Sequence, residues 1–459
     1  MKKQERPNIL FIMTDEQRYD TFTHVNPHIK TPHMDKLIKD SVFFQNAYCS
    51  NPSCIPSRAA IVTGKHPTEC KTPTYITYLP AYEKTFMSRL QALGYYTAVV
   101  GKQHFAESSI EKGYDEAMIM DGHSPMGHKE ELTLYYDYLA QHNVDKDTLY
   151  EGGLMIGGSW KGDIKYHIDS FVGDLGQDWL KHKRPDKPWF LTISFPGPHQ
   201  PYDCEGTAFA EQYDLDAIPM PETCYEDLDC KPPHFKQMKE KAYVKNHSEE
   251  VFKKTKRSYY ANVSLIDQKV GEIIETLKEN GLYDNTLIIY TSDHGDFMGD
   301  FGIVSKAQYL SECLMRVPLF VKPPIKDFEG FDVDDYVLNI DIAATCLEAA
   351  GGEVDKGMSN YAYTDYWQNK DEVKTRDYLY LEASGMKACI KDGYKLVHYL
   401  DKPYGEFYDL NHDPIEKFNL WEEEAYNGQK LIHNRLLIDH LVKMTPLWDM
   451  KWNHQAPAI

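Results

Sequence analysis

Three short segments of the sequence combine acidic, basic and imidazole side chains in a way that could support catalysis. Residues 14–17 read TDEQ, residues 101–104 read GKQH and residues 292–296 read SDHGD. Two acid clusters and an imidazole supply the oxygen and nitrogen ligands that suit a hard divalent cation. The simpler interpretation is that these acids only cap a turn or the next helix. The two clusters together favour a metal site.

A fourth segment brings a cysteine close to a fixed positive charge. Residues 53–58 read SCIPSR, just ahead of a helix predicted over residues 57–63. A helix N-terminus offers free N–H donors and the positive end of the helix dipole, which favour developing negative charge. A lone cysteine is usually a small buried apolar residue. Here the neighbouring proline, serines and Arg58 favour a functional role for Cys54.

The elements that must position these segments follow from the hydrophobic pattern. Near-continuous apolar runs predict buried strands over residues 7–14, 96–100, 189–195, 286–291 and 317–322. Amphipathic spacing predicts helices over residues 32–40, 57–63, 85–93, 256–279 and 341–350. This alternation predicts an α/β fold with a mostly parallel sheet covered on both faces. Three of the strands end in the polar segments, and ligands bind at that edge of such sheets.

The pattern changes near residue 376. Short alternating runs joined by turns predict an antiparallel meander, followed by a helical tail over residues 422–444. We therefore predict a catalytic α/β domain over residues 1–370 and a C-terminal α+β subdomain over residues 371–459. The loop-rich segments 110–165 and 203–250 receive no assignment.

Composition limits the classes of partner. The chain has 459 residues, 50 basic and 70 acidic, for a formal net charge of −20, and 42% are hydrophobic, which excludes wholesale disorder. The negative charge predicts neither a nucleic-acid nor a membrane partner. No apolar run has the length of a signal-peptide core or a membrane span, and nine cysteines without a CxxC pair fit a reducing compartment. We expect a cytoplasmic protein.

The motifs together resemble a known family. Residues 54–65, CIPSRAAIVTGK, are similar to the motif of the type I sulfatases, in the alkaline phosphatase superfamily. PNILFIMTDEQ at residues 7–17, GKQH, PH at residues 198–199 and SDHG follow in family order. GYKL, YDL and DP at residues 393–414 resemble the family's C-terminal subdomain. The resemblance implies a large, mostly parallel sheet sandwiched by helices, with a smaller C-terminal antiparallel sheet.

The resemblance also implies a chemistry for Cys54. Such a cysteine is oxidised to formylglycine by a formylglycine-generating enzyme or an anaerobic sulfatase-maturating enzyme. One hydroxyl of the hydrated aldehyde attacks sulfur, and the other later expels sulfate by reforming the aldehyde. The implied ligands of one divalent cation are Asp15, Glu16, Asp293 and His294. Calcium is the expected ion, with manganese or magnesium as alternatives.

The remaining implied site residues are cationic or imidazole groups. Arg58 and Lys102 would steady the nucleophile, and His104 would assist breakdown of the intermediate. His199 and Lys306 would contact the sulfate and the leaving oxygen. The implied substrate is a small or carbohydrate sulfate ester. The acidic surface further predicts that short, singly sulfated substrates outcompete polysulfated chains. The sequence predicts no oligomeric state.

Two departures from the family keep other activities open. Many sulfatases have a second aspartate where Glu16 stands and an asparagine where His294 stands. Phosphonate monoester hydrolases, which share the formylglycine, include relatives with a different residue at the first position and histidine at the second. Sulfate-ester hydrolysis is the expected reaction, and phosphonate monoester or phosphodiester hydrolysis is the alternative. A noncatalytic anion-binding protein, or a thiol enzyme that uses Cys54 directly, is a third hypothesis.

Overall fold

A large central sheet and a smaller C-terminal sheet form the framework of the protein. The structure is a computed structural model that describes residues 6–106, 112–122, 129–153, 156–223, 225–235, 248–368 and 372–444. The strands, in chain order, are β1 (Asn8–Asp15), β2 (Val42–Tyr48), β3 (Tyr96–Gly101), β4 (Glu116–Ile119), β5 (Tyr150–Glu151), β6 (Ser159–Trp160), β7 (Trp189–Pro198), β8 (Thr286–Ser292), β9 (Leu319–Lys322), β10 (Phe331–Leu338), β11 (Leu379–Ala383), β12 (Met386–Lys391), β13 (Tyr394–Tyr399) and β14 (Gly405–Asp409).

The central sheet has the order β10-β2-β9-β8-β1-β7-β3-β4. Strand β9 is antiparallel to both of its neighbours, and the other pairs are parallel, so the predicted mostly parallel sheet is confirmed. Strand β1 lies between β7 and β8, with Leu10 opposite Leu191 and Ile288. Its apolar run is therefore buried on both faces, as expected for an inner parallel strand.

Helices cover both faces of this sheet. In chain order, the helices of the described residues are α1 (Pro32–Ile38), α2 (Cys54–Thr63), α3 (Phe86–Ala92), α4 (Thr133–Gln141), α5 (Ile168–Asp178), α6 (Ala208–Glu211), α7 (Glu249–Glu279), α8 (Glu312–Met315), α9 (Asp341–Ala349), α10 (Asp365–Gln368) and α11 (Asn427–Met444), of which α11 packs against β12 and β13 of the C-terminal sheet instead. Alternate side chains of β1 point to opposite faces of the sheet and pack in different hydrophobic cores. Phe11 packs in a core with Ile61 of α2, and Ile12 packs in a second core with Ile273 of α7.

Several element bounds differ from the prediction. Helix α2 begins at Cys54 rather than at residue 57, because Ser53 has the extended backbone of an N-cap residue and Pro56 lies in the first turn. A proline is tolerated there, since its missing N–H would have no partner within the helix. Helix α7 begins at Glu249, seven residues earlier than predicted. The elements β2, β4, β10, α4 and α5 were not predicted.

The C-terminal region contains the predicted meander. Strands β11 to β14 form a four-stranded antiparallel sheet in sequence order, and the following helix α11 begins at Asn427 rather than at residue 422. The domain boundary near residue 370 stays a prediction. No helix in the described ranges combines the length and apolar character needed to cross a bilayer.

Candidate active site

Strand pairing merges the two predicted acid clusters into one. Thr14 of β1 lies opposite Ser292 of β8, so Asp15 and Asp293 meet at the same edge of the sheet. The backbone N–H of Glu16 donates to Asp293 Oδ1 at 3.1 Å, from a left-handed conformation with φ of 66°. The side chains of all three acids are fully buried. The acid clusters at the ends of β1 and β8 therefore lie next to each other.

The first turn of α2 brings Cys54 to the same place. Its Sγ lies 3.6 Å from Asp15 Oδ1 and 3.3 Å from His294 Nε2, and the residue is 6% exposed. Ser57 fixes the helix by donating from Oγ to the Asp293 carbonyl at 2.6 Å. Cys54 is therefore the first helical residue of α2, in contact with the acid cluster.

Two buried cations hold the far side of the cluster. Arg58 Nε donates to Asp293 Oδ2 at 2.7 Å, and Arg58 Nη1 donates to the Lys102 carbonyl at 2.9 Å and Ser194 Oγ at 3.0 Å. Lys102 Nζ forms an ion pair with Asp15 Oδ2. Burial disfavours the charged guanidinium, yet the carboxylates of Asp293 and Asp15 raise the pKa of Arg58 above its ordinary value. Arg58 is thus fixed and charged, and Lys102 is held in place by its ion pair with Asp15.

The accessible side of the cluster carries the other two predicted groups. Lys306 Nζ lies 2.7 Å and His199 Nε2 lies 3.1 Å from Glu16 Oε2. These side chains are 17% and 11% exposed, whereas Glu16 is fully buried. Burial raises the pKa of Glu16 well above its usual value, although Lys306 opposes this shift. A further cation near Glu16 would therefore stabilise its charged form.

The donor set fits a divalent cation. One ligand atom each from Asp15, Asp293, His294 and Cys54 lies within 4.8 Å of the others, and Asp15 and Glu16 form an overlapping group with His199. His294 Nδ1 lies 2.9 Å from the Gly295 carbonyl, which can only accept, so Nδ1 carries a proton and Nε2 is free to bind a metal. Carboxylate oxygens with one imidazole match the donors predicted from the sequence.

His104 has a different environment. The backbone N–H groups of Gln103 and His104 donate to Asp121 Oδ1 at 2.6 and 2.8 Å, and His104 has a φ of 48°. Its ring Nδ1 is buried without a hydrogen-bond partner. Within the described residues no hydrogen bond or ion pair joins this ring to the acid cluster. The role predicted for His104 stays a prediction.

Several polar residues around the site were not predicted. Ser305 Oγ contacts Glu16 Oε1 at 3.1 Å and Gln200 Oε1 at 3.0 Å. Each of these residues adjoins a predicted one, Lys306 or His199, and that adjacency is the only signal the sequence offers. Asp296 caps a turn, because it accepts the Met298 N–H at 2.6 Å.

Comparison with known proteins identifies the family. Residues 7–352 match the Sulfatase family, and residues 299–440 match the family described as N-sulphoglucosamine sulphohydrolase, C-terminal. An arylsulfatase from Clostridium perfringens is 29% identical over 462 residues, which cover 95% of this chain and 94% of that protein. A choline-sulfatase from Rhizobium meliloti is 28% identical over 91% of this chain and 83% of that protein.

Solved structures share the fold over nearly the whole length. A phosphonate monoester hydrolase from Agrobacterium radiobacter has a TM-score of 0.81 at 20% identity, covering 96% of each chain. BT4656, solved with its substrate D-glucosamine-2-N,6-O-disulfate, has a TM-score of 0.72 at 22% identity, covering 96% of this chain and 98% of that one. The chain therefore belongs to the type I sulfatase family of the alkaline phosphatase superfamily and is a sulfuric ester hydrolase.

Proposed function

We propose that this enzyme hydrolyses sulfate esters of small or carbohydrate substrates with a formylglycine at position 54 and one divalent cation. The cation ligands would be Asp15, Glu16, Asp293 and His294. The observation that carries the proposal is the contact of Cys54, at the start of α2, with the buried acids and imidazole. Calcium is the proposed ion, since three of the four ligands are carboxylates.

The modified residue and the cation would each supply one part of the chemistry. A hydrated aldehyde offers a nucleophile that can also release sulfate without attack by water. A bound cation neutralises charge on the sulfuryl oxygens. Arg58 and Lys102 approach the same acids from the buried side, so their charges need no reorganisation during the reaction. The first N–H groups of α2 add donors for developing negative charge.

His199 and Lys306 are suited to contact the sulfate and the leaving oxygen. His199 Nδ1 lies 2.7 Å from the Gln200 carbonyl, and Nε2 lies 3.1 Å from Glu16 Oε2. Because a carbonyl can only accept, Nδ1 carries a proton, and Nε2 is the ring nitrogen that faces the acid cluster. Such a ring, when protonated at Nε2, can donate a proton to the departing alkoxide. Lys306, 17% exposed, supplies a fixed positive charge at the entrance.

Intact-mass analysis of protein from its native host tests the modification. We expect the mass change of thiol-to-aldehyde conversion at Cys54, and its absence in Cys54→Ala. An active enzyme that always retains the Cys54 thiol would instead support the thiol-enzyme hypothesis.

We propose that conversion occurs in the cytoplasm, by a formylglycine-generating enzyme or an anaerobic sulfatase-maturating enzyme. The eight described cysteines, all free of disulfides, are consistent with a reducing compartment.

Phosphonate monoester or phosphodiester hydrolysis is the second candidate. The observation behind it is Glu16 and His294 at positions where many sulfatases have aspartate and asparagine. Matched aryl sulfate, aryl phosphonate and aryl phosphodiester substrates separate the two activities. We expect the largest kcat/KM on the sulfate. A larger kcat/KM on either phosphorus ester would reassign the enzyme.

The charge of the whole protein bears on substrate size. A net charge of −20 repels long polyanions, whereas the Lys306 and His199 side of the site can attract one sulfate group. We propose that short, singly sulfated substrates have higher kcat/KM than intact polysulfated chains. Desulfation measured across sulfated mono- and disaccharides and a polymer tests this proposal. Equal turnover of the polymer would contradict it.

A further inference from the structure

The C-terminal helix α11 has an apolar outer face. Its inner face packs on the C-terminal sheet, where Leu437 shares a core with Leu396 of β13 and Phe407 of β14. The large apolar side chains left outside this core are 41–72% exposed, and they are Leu431, Ile432, Ile438, Leu441 and Val442. The outer face of a surface helix is normally polar, since only its inner stripe is buried. The outer face of α11 therefore requires an explanation.

Helix α7 shows the ordinary pattern for comparison. Its exposed residues are all polar: Glu249, Glu250, Gln268, Glu275, Lys278 and Glu279. By contrast, five of the fifteen exposed large apolar side chains in the described residues lie on α11. Scattered apolar side chains are normal on a protein surface, whereas a concentrated patch marks an interaction site. The outer face of α11 is therefore a candidate contact surface.

The residue spacing on this face is that of two helices packed side by side. Four residues form a stripe along the helix at intervals of four, three and four positions: Leu431, Arg435, Ile438 and Val442. This is the 3.5-residue repeat with which one helix keeps the same side towards another. Ile432 and Leu441 border the stripe and widen it. The face is therefore suited to contact another helix.

The charges on this face fit a second copy of the same helix. Arg435 interrupts the apolar stripe, and its Nε lies 3.9 Å from Asp439 Oδ2 in an ion pair whose two side chains are both exposed. If two copies of α11 lie antiparallel about a two-fold axis level with Leu437, residues equally far before and after that position come level. Arg435 then meets the partner's Asp439, and Ile432 meets the partner's Val442. A two-fold axis forms each contact twice, so the face is complementary to itself.

We propose that α11 is the interface of a homodimer in which two copies of this helix pack antiparallel about a two-fold axis level with Leu437. The helix has three lysine or arginine side chains and one aspartate, so it lacks the excess of acid with which two chains of net charge −20 repel each other. Its 18 residues span about 27 Å. A contact along one such helix is at the small end of specific interfaces, below about 1,200 Å², so we expect a reversible, concentration-dependent dimer. No residue of α11 belongs to the active site, so this dimer is independent of the proposed sulfatase mechanism.

Sedimentation velocity of the full-length protein tests for the dimer. We expect the dimer fraction of the wild type to rise with concentration, and Ile438→Glu to stay monomeric because its carboxylate would be buried in the interface. At concentrations where both proteins are monomeric their thermal midpoints should match, since Ile438 is exposed in a single copy. Wild type that stays monomeric at its highest soluble concentration would overturn the proposal and leave the face to a different partner. A dimer that survives Ile438→Glu would also overturn it.

Charge exchange tests the antiparallel pairing itself. Arg435→Asp places an acid opposite the partner's Asp439, and Asp439→Arg places a base opposite the partner's Arg435, so each variant alone should raise the dimer Kd by about 10-fold or more. Mixed in equal amounts, the two variants are complementary at both contacts, and heterodimers with about the wild-type Kd are expected. Loss of the ion pair within one chain cannot explain such a rescue, because mixing does not restore that pair. Lys278→Asp, which makes the same charge change as Arg435→Asp in an exposed ion pair of α7, is the matched control and should dimerise like the wild type. A mixture that stays as weakly associated as the single variants would overturn the proposal.

Discussion

The active-site cluster and a second charged cluster beneath the C-terminal sheet are both buried, but their charges are paired differently. In the second cluster, Lys395 Nζ lies 2.8 Å from Glu312 Oε1 and 2.7 Å from Glu416 Oε1. The Tyr48 hydroxyl donates to Glu312 Oε2 at 2.8 Å, and the Glu312 N–H donates to Glu416 Oε2 at 2.9 Å. Each carboxylate therefore has a cation on one oxygen and a hydrogen-bond donor on the other.

In the active site some carboxylate oxygens face other potential metal ligands as well as cations. Asp15 Oδ1 lies 3.6 Å from Cys54 Sγ and 3.8 Å from His294 Nε2, and its distance to Lys306 Nζ is 3.9 Å. Burial raises the pKa of Glu16, whereas Lys395 outweighs burial and holds the pKa of Glu416 below its usual value. We call the Lys395 cluster closed, because each of its carboxylates is fully paired, and it contributes to folding. The active-site cluster has oxygens that face potential ligands, so it is suited to binding.

Replacing the nucleophile should separate the two clusters most strongly. Cys54→Ala removes the side chain proposed for conversion, so we expect kcat/KM on an aryl sulfate to fall by at least about 10³-fold. The thermal midpoint should change little, because Lys395 and its partners are untouched. Steady-state kinetics and calorimetry measure both effects, with Cys230→Ala as the control. Substantial residual turnover by Cys54→Ala would contradict the assignment.

Removing the cation of the closed cluster should affect stability instead. Lys395→Met leaves Glu312 and Glu416 buried without their shared partner, which is expected to lower the free energy of unfolding by about 3–5 kcal/mol. The kcat/KM of the folded protein should be unchanged. Urea titration followed by fluorescence measures the loss, and Lys402→Met, at an exposed position, is the control. A stability equal to that of the control would refute the closed-cluster interpretation.

Removing a cation from the entrance of the active site should lower kcat/KM more than it lowers stability. Lys306→Met deletes a preorganised charge, so we expect kcat/KM to fall by about 10²–10³-fold, or about 2.7–4 kcal/mol of barrier. The unfolding midpoint of the metal-loaded enzyme should change less than in Lys395→Met. Kinetics and urea titration of the two variants, with exposed Lys326→Met as control, give the comparison. A larger stability loss in Lys306→Met would show that its role is structural.

Acidification should weaken a third type of contact, between neutral rings. The rings of His66 and His440 lie 5.3 Å apart, and His440 stacks on Tyr380. Burial lowers the pKa of His66 to about 3 and that of His440 to about 4. The unfolded chain, with histidine pKa values near 6.5, binds protons first on acidification. The contribution of the two neutral rings to the free energy of unfolding is therefore fully present above about pH 6.5. Below that pH it falls, by up to about 1.4 kcal/mol per pH unit for each histidine.

Urea titrations at pH 7 and pH 5.5 measure this smallest effect. His440→Leu should reduce the difference between the two values, whereas His398→Gln, at an exposed position, should leave it unchanged. An equal pH dependence in wild type and His440→Leu would exclude this contact as the cause.

The parts of the fold that were predicted are those with a local signal. Strands β1, β7 and β8 have continuous apolar runs and were found close to their predicted bounds. Helix α5 was missed because Gly173 and Gly176 lower its helix propensity. A Cβ at these glycines would lie 2.8 Å from Lys269 and 2.5 Å from Ile193, so both permit close packing against other elements. That reason is visible only in the tertiary structure.

The residues of the active site also fall into those that a local sequence motif predicts and those that only the structure reveals. Residues inside motifs, such as Cys54 and Asp293, were predicted and lie together. Ser305, Gln200 and Asp121 were not predicted, because their contacts depend on how loops return to the sheet edge. The sequence motifs predict which residues form the site, but they do not predict which loop residues form hydrogen bonds with them.

The pairing of β1 with β8 means that the active site can form only after β8 has been synthesised. Cys54 and His294, in contact in the finished protein, are 240 residues apart, and Cys54 is then only 6% exposed. At about 5–20 residues per second, a ribosome needs about 12–48 s to make the intervening chain. During that time β8 has not yet closed the site. If Cys54 is converted as proposed above, the modifying enzyme would therefore have about 12–48 s of access that the folded protein no longer offers.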